Sequence, residues 1–133
     1  MLAELGIASG VRAMLISPPD GVLAEAGRLS PRPSFASSIM TAEPADVLAW
    51  WPETDALGDA AIAKLRWMLE MANGSAWVLV DPREDVPPAT RVEALLGRHS
   101  LSVAERRQLG QVTALRVSAI PTGTTDGEPS RAN

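Results

Sequence analysis

The side chains that could do chemistry gather in three short stretches, "SPPDG", "WWPETD" and "VDPRED". They supply Asp20, Gly21, Glu53, Asp55, Asp81, Arg83, Glu84 and Asp85. A carboxylate such as Asp81, placed straight after a buried segment, can take a proton, and an arginine such as Arg83 can hold a carboxylate or phosphate. Asp20, Glu53, Asp55 and Asp81 are also the oxygen donors that magnesium or manganese accepts. Nothing fixes their mutual spacing, so no metal site is assigned. The plainer use of the same residues is as solvated loop charges and caps: Thr54 or Asp55 at a helix start, Asp81 at a turn opened by Pro82. No residue is assigned a catalytic role.

Composition narrows the chemistry further. The 133 residues contain no cysteine, which removes disulfides, thiol nucleophiles and thiolate metal sites. One histidine, His99, cannot build a histidine metal cluster, and its place at the end of a helix suits contact with helix carbonyls or solvent. A glycine-rich turn after a first strand would let the backbone approach a cofactor and expose amide donors. Here that turn carries Pro18 and Pro19 with the single Gly21, and no such loop occurs elsewhere, so no cofactor is assigned. The net charge of −4 argues against a nucleic-acid partner, and the arginine pair in "ERRQLG" reads as a solvated edge. No apolar run approaches the roughly 20 residues of a membrane helix. The opening "MLAELGIASG" lacks the pattern of a signal peptide, and a cytoplasmic protein is expected.

The elements that must position these residues follow from periodicity. Leu2 to Gly10 reads as one short helix ending at glycine. "VRAMLIS" reads as a strand covered on both faces, broken by Pro18 and Pro19. "GVLAEAGRL" suits a short helix, and "FASSIM" is a weak strand candidate. "ADVLAWW" is a better strand. Because strand side chains alternate, Trp50 and Trp51 must point to opposite faces, and both faces must be covered. Leu57, Ala61, Leu65, Met68, Leu69 and Ala72 recur at helical spacing over about 56–72. "SAWVLVDP" is the strongest strand. Val92, Leu95 and Leu96 mark a second helix with Pro88 near its start. "GQVTALRVSAI" is a late strand.

Strand, helix, strand, helix, strand predicts a three-layer Rossmann-like α/β sandwich, mostly parallel, without a glycine-rich cofactor loop. One domain spans 1–120, and 121–133 is a polar tail expected to be disordered. Parallel strands would bring the three acidic stretches to one edge, where such sheets bind ligands. Asp20, Gly21, Glu53, Asp55, Asp81 and Arg83 are the crevice candidates, for a small molecule of unspecified kind. Trp67 and Met71, four residues apart on one helix, are candidates for contact with a partner protein or another copy of the chain.

The order of blocks resembles an uncharacterised bacterial family known as domain of unknown function 3052. Leu5, Gly6, Ile7, Gly10, Arg12, the Pro18–Pro19 pair and Gly21 match its opening. "ADVLAWWPETDAL" matches its second block, where actinobacterial members often carry a tryptophan pair. Gly74, Trp77, Pro82 and Arg83 match its third. The closing Trp-Ser-Gly of that family is replaced here by Val112, Thr113 and Ala114, with Arg116 keeping the basic position. The resemblance implies a methyltransferase-like sheet and leaves activity open. The leading expectation is a non-catalytic binding or regulatory module. The alternative is a small divergent enzyme, S-adenosylmethionine-dependent and methyltransferase-like, with its crevice at the carboxyl ends of the strands.

Overall fold

The computed structural model describes residues 1–53, 57–72, 75–81 and 88–119. Its α/β core comprises β1 (Ala13–Ile16), α1 (Asp20–Ala26), β2 (Ser34–Ala36), β3 (Val47–Trp50), α2 (Asp59–Ala72), β4 (Ser75–Val80), α3 (Ala89–Arg98), β5 (Leu101–Leu109) and β6 (Val112–Ala119). Short 3-10 helices lie at Leu2–Leu5 and Ile39–Thr41. The strands form one sheet in the order β2-β1-β3-β4-β6-β5. β2, β1, β3 and β4 run parallel, while β6 is antiparallel to both β4 and β5.

All four residues of β1 are buried, as are the last three of β3 and the last five of β4. Unbroken apolar runs of this kind are what an interior parallel strand needs, since helices cover both of its faces. One core packs Trp50, Leu48, Val78 and Leu115 against the stripe Ala61, Leu65, Met68 and Leu69 of α2 and against Val92, Leu95 and Leu96 of α3. The other packs Trp51, Leu15, Ala49 and Trp77 against Val22 and Ala26 of α1 and against Leu2, Leu5 and Ile7. The adjacent tryptophans thus serve opposite layers, as strand alternation requires. The mixed, mostly parallel three-layer α/β fold read from the sequence is the one observed.

Local details differ. The first segment is not one helix to Gly10: a 3-10 turn ends at Leu5 because Gly6 adopts φ 83°, a left-handed backbone conformation that side-chain-bearing residues rarely take. The following Ile7 then folds under the sheet, 1% exposed. The helix expected from about residue 56 begins at Asp59, and its expected caps Thr54 and Asp55 lie outside the described residues. Pro88 caps α3 from outside the helix, with an extended φ of −65° and ψ of 152°. Glu105 to Leu109 of "ERRQLG" belong to a strand that the apolar pattern did not reveal, β5, which forms an edge of the sheet. The expected tail, 121–133, also lies outside the described residues.

Candidate functional site

The sheet changes its direction of growth at β1, with β2 on one side and β3 on the other. Chains that diverge from such a point leave a crevice beyond the carboxyl ends of the strands. A cleft of about 450 Å³ lies there. Ser17 and Pro18 follow β1 into it, and Leu23 reaches it from α1. Phe35, Ala36 and Ser37 line it from β2 and its exit, Trp51 and Glu53 from the exit of β3. The volume falls within the ~300–1,000 Å³ typical of small-molecule sites.

Ser17 sets the shape of the exit from β1. It holds φ 55° immediately before a proline. A non-glycine residue in that region carries strain of about 1–3 kcal/mol and persists only where its surroundings hold it. Here the Ser17 N–H donates to the carbonyl of Ala36 at 2.9 Å, and its hydroxyl donates to the carbonyl of Ser37 at 2.9 Å. The exits of β1 and β2 are thereby strapped together. With the Ser17 N–H engaged and Pro18 and Pro19 lacking one, this turn has no amide donor to offer before α1.

Trp51 continues the pairing of β3, donating its backbone N–H to Ile16 at 3.0 Å. Its side chain is 3% exposed, and among the described residues its indole Nε1 is the buried side-chain polar atom without a partner. An orphaned donor costs about 1–3 kcal/mol. Glu53, just beyond, is exposed at the rim.

Of the residues predicted from sequence, Glu53 lines the cleft. Asp20 and Gly21 form the exposed first turn of α1, outside the described lining although α1 contributes Leu23 to it. β4 is parallel to β3, so Asp81 leaves the sheet on the same edge; it is partly buried and is not among the described lining residues. Asp55 and Arg83 lie outside the described residues, with Glu84 and Asp85. Ser17, Leu23, Phe35 and Ser37 line the cleft without having been site candidates from sequence. The signal available for one of them was that Phe35 is the only phenylalanine in the chain, placed in a strand too short to bury it.

His99 does not turn to helix carbonyls. Its Nε2 lies 2.9 Å from Oδ1 of Asp59, and Arg98 reaches Oδ2 at 3.3 Å. The His99 hydrogen bond is the main cause of an Asp59 carboxyl held below its ordinary range; slight burial opposes it and the Arg98 charge reinforces it. Arg66 donates to the carbonyl of His99 at 3.1 Å. The group ties the start of α2 to the end of α3. On β5, Glu105 is likewise lowered, chiefly by its bond from Arg107 and then by that from Arg116. Among the described residues no group of three or more histidine, cysteine or acidic side chains is arranged to hold a metal. No described helix is long and apolar enough to cross a membrane.

Trp67 and Met71 stand 46% and 63% exposed on α2. The Lys64 ammonium sits 5.5 Å from the centre of the Trp67 ring while donating to the carbonyl of Met40 at 3.0 Å.

Neither a family model nor a curated protein matches the chain. Solved structures do. Magnesium protoporphyrin IX methyltransferase from Synechocystis PCC 6803, with bound S-adenosylmethionine, superposes with a TM-score of 0.54 at 11% identity, covering 89% of this chain and 74% of the other. The ribosomal protein L11 methylase from Lactobacillus delbrueckii subsp. bulgaricus gives 0.60 at 13% identity over 89% of this chain and 74% of the other. An O-methyltransferase from neocarzinostatin biosynthesis, in complex with S-adenosylmethionine and 2-hydroxy-5-methyl naphthoic acid, gives 0.60 at 15%, covering 90% of this chain but 50% of its own. At such identities the likeness concerns the fold alone, and the fold of this chain is methyltransferase-like.

Proposed function

We propose that the protein is a small, divergent methyltransferase-like protein that binds an organic ligand in the cleft at the carboxyl ends of β1, β2 and β3. One observation carries this reading: the cleft occupies the switch point of the sheet, with aromatic and polar side chains from three strand exits converging on it. The solved-structure likenesses favour this reading over a purely regulatory module.

S-adenosylmethionine is the cofactor such a fold implies. The exit of β1 does not fit it in the pose where backbone amides cradle the ligand, because the Ser17 N–H is already bonded to Ala36 and two prolines follow. No step of methyl transfer is therefore derived, and the non-catalytic reading keeps that one observation in its favour. Exposed Trp67 and Met71 are where we place contact with a partner protein or a second copy.

Calorimetry and thermal shift with S-adenosylmethionine and S-adenosylhomocysteine separate the readings. Binding that Glu53→Ala weakens would assign cofactor chemistry to this cleft. No heat and no shift at millimolar ligand would remove methyl transfer and leave the cleft to another ligand.

A further inference from the structure

The cleft has a charge and a shape that together select a class of ligand. Among its described lining residues Glu53 is the charged one, and among the described residues its carboxylate has no ion-pair or hydrogen-bond partner. No lysine, arginine or histidine is among those lining residues. An anion entering here would meet an uncompensated carboxylate, whereas a cation would supply the partner that Glu53 lacks. Asp20, at the start of α1, adds charge of the same sign at the exit of β1.

Much of the wall is apolar. Phe35 is 46% exposed on the short edge strand β2, and Leu23 is 38% exposed on α1. These are large apolar side chains that the protein core does not cover, and both open onto this cleft. Trp51, nearly buried, completes the lining from the exit of β3. Aromatic faces attract cations, most strongly where water is thin, and they stack on planar rings. An aromatic wall with an unpaired carboxylate at its rim is complementary to a planar body bearing positive charge.

We infer that the cleft takes an organic cation with a flat apolar body, a heteroaryl amine basic enough to be protonated near neutral pH, and discriminates against anions of the same shape. The inference rests on the reading that this cleft is the ligand site. An oxygen substituent on such a ligand would also give the unpaired Trp51 N–H an acceptor once the indole turns toward it, since Nε1 is shielded in this conformation.

Two probes of matched ring size test it on the full chain: 4-aminoquinoline, a cation near neutral pH, and 2-naphthoate, an anion. Calorimetry gives the affinities, and nitrogen–proton spectra of the tryptophan indoles locate the site. The expected result is a preference of roughly tenfold or more for the amine, lost in Glu53→Gln, as removal of one charged partner requires. Phe35→Ala weakens both probes. The Trp51 indole resonance, assigned with Trp51→Phe, moves on binding while that of Trp67 stays. Equal or tighter binding of 2-naphthoate, or a preference that survives Glu53→Gln, overturns the ligand class. S-adenosylmethionine moving the Trp51 resonance while the amine is silent also overturns the class but leaves the cleft as the ligand site. Silence from all three at millimolar concentration overturns both.

Discussion

Trp51 and Asp59 illustrate how differently two polar groups can be treated in one small molecule. Trp51 buries its indole without satisfying the N–H, so its packing gain is offset by a desolvated donor. Trp51→Ala should cost about 3–5 kcal/mol, as large aromatic deletions do. Trp51→Phe should cost well under half of that, because it discards the orphaned donor along with part of the ring. Urea unfolding checks the ratio; a phenylalanine variant as damaged as the alanine one would mean that the indole is hydrogen-bonded in solution. Asp59 is the reverse case, an exposed carboxylate with two partners. Its carboxyl is lowered from 3.8, so the folded state binds the proton less readily than the unfolded chain does. The resulting stability is present above that value and is lost as pH falls through the folded value. Melting temperature followed from about pH 6 down to about pH 3 should fall less steeply for Asp59→Asn than for the natural chain. Superimposable profiles would show the His99–Asp59 pair to be without effect on folding.

At the scale of elements, α2 is where sequence and structure agree most closely. Leu65 and Met68, at 0% exposure, sit on the stripe that its periodicity marks, while Trp67 and Met71 lie off it. Leu65→Ala should cost about 2–5 kcal/mol through the cavity left in the core that contains Trp50. Met71→Ala, at 63% exposure, should stay within about 0.5 kcal/mol. A large loss from Met71→Ala would reveal that its surface is covered in solution. β5 is the opposite case. Its Glu105, Arg106 and Arg107 hide it from an apolar-run search, yet they are what an edge strand uses to discourage pairing with other chains. Arg106 pairs with Glu93 of α3, and Arg107 stacks 5.3 Å from the ring centre of Trp77 and bonds the carbonyl of Glu4. A strand held by such contacts can be recognised once its neighbour β6 is in place, and hardly before.

For the whole molecule, the exposed Trp67 and Met71 of α2 are the surface we propose for self-association. If that face joins two copies, sedimentation over a concentration series should show reversible association that Trp67→Ala weakens. A monomer throughout at high micromolar concentration would end the proposal of self-association. The cleft lies at the switch point beyond the strand ends, whereas α2 packs its buried stripe on the core that contains Trp50. Trp67→Ala should therefore leave ligand binding unchanged.

Local rules acting on a few residues determined much of this protein from its sequence. The apolar runs of β1, β3 and β4 demanded cover on both faces, and strand alternation sent Trp50 and Trp51 to opposite cores. Pro18 and Pro19 remove two amide donors from the turn after β1 whatever the fold, because proline has no N–H. Glu53 was legible as a strand-end acid. Which strands lie side by side was decided by pairings between distant residues, such as Met14 with Ser34 and Val78 with Leu115, which no local pattern encodes. That order makes β1 the switch point and brings Phe35 and Leu23 to the same cleft as Glu53. The left-handed turn at Ser17 is likewise tertiary: a serine before proline would not choose it, and the carbonyls of Ala36 and Ser37 hold it there.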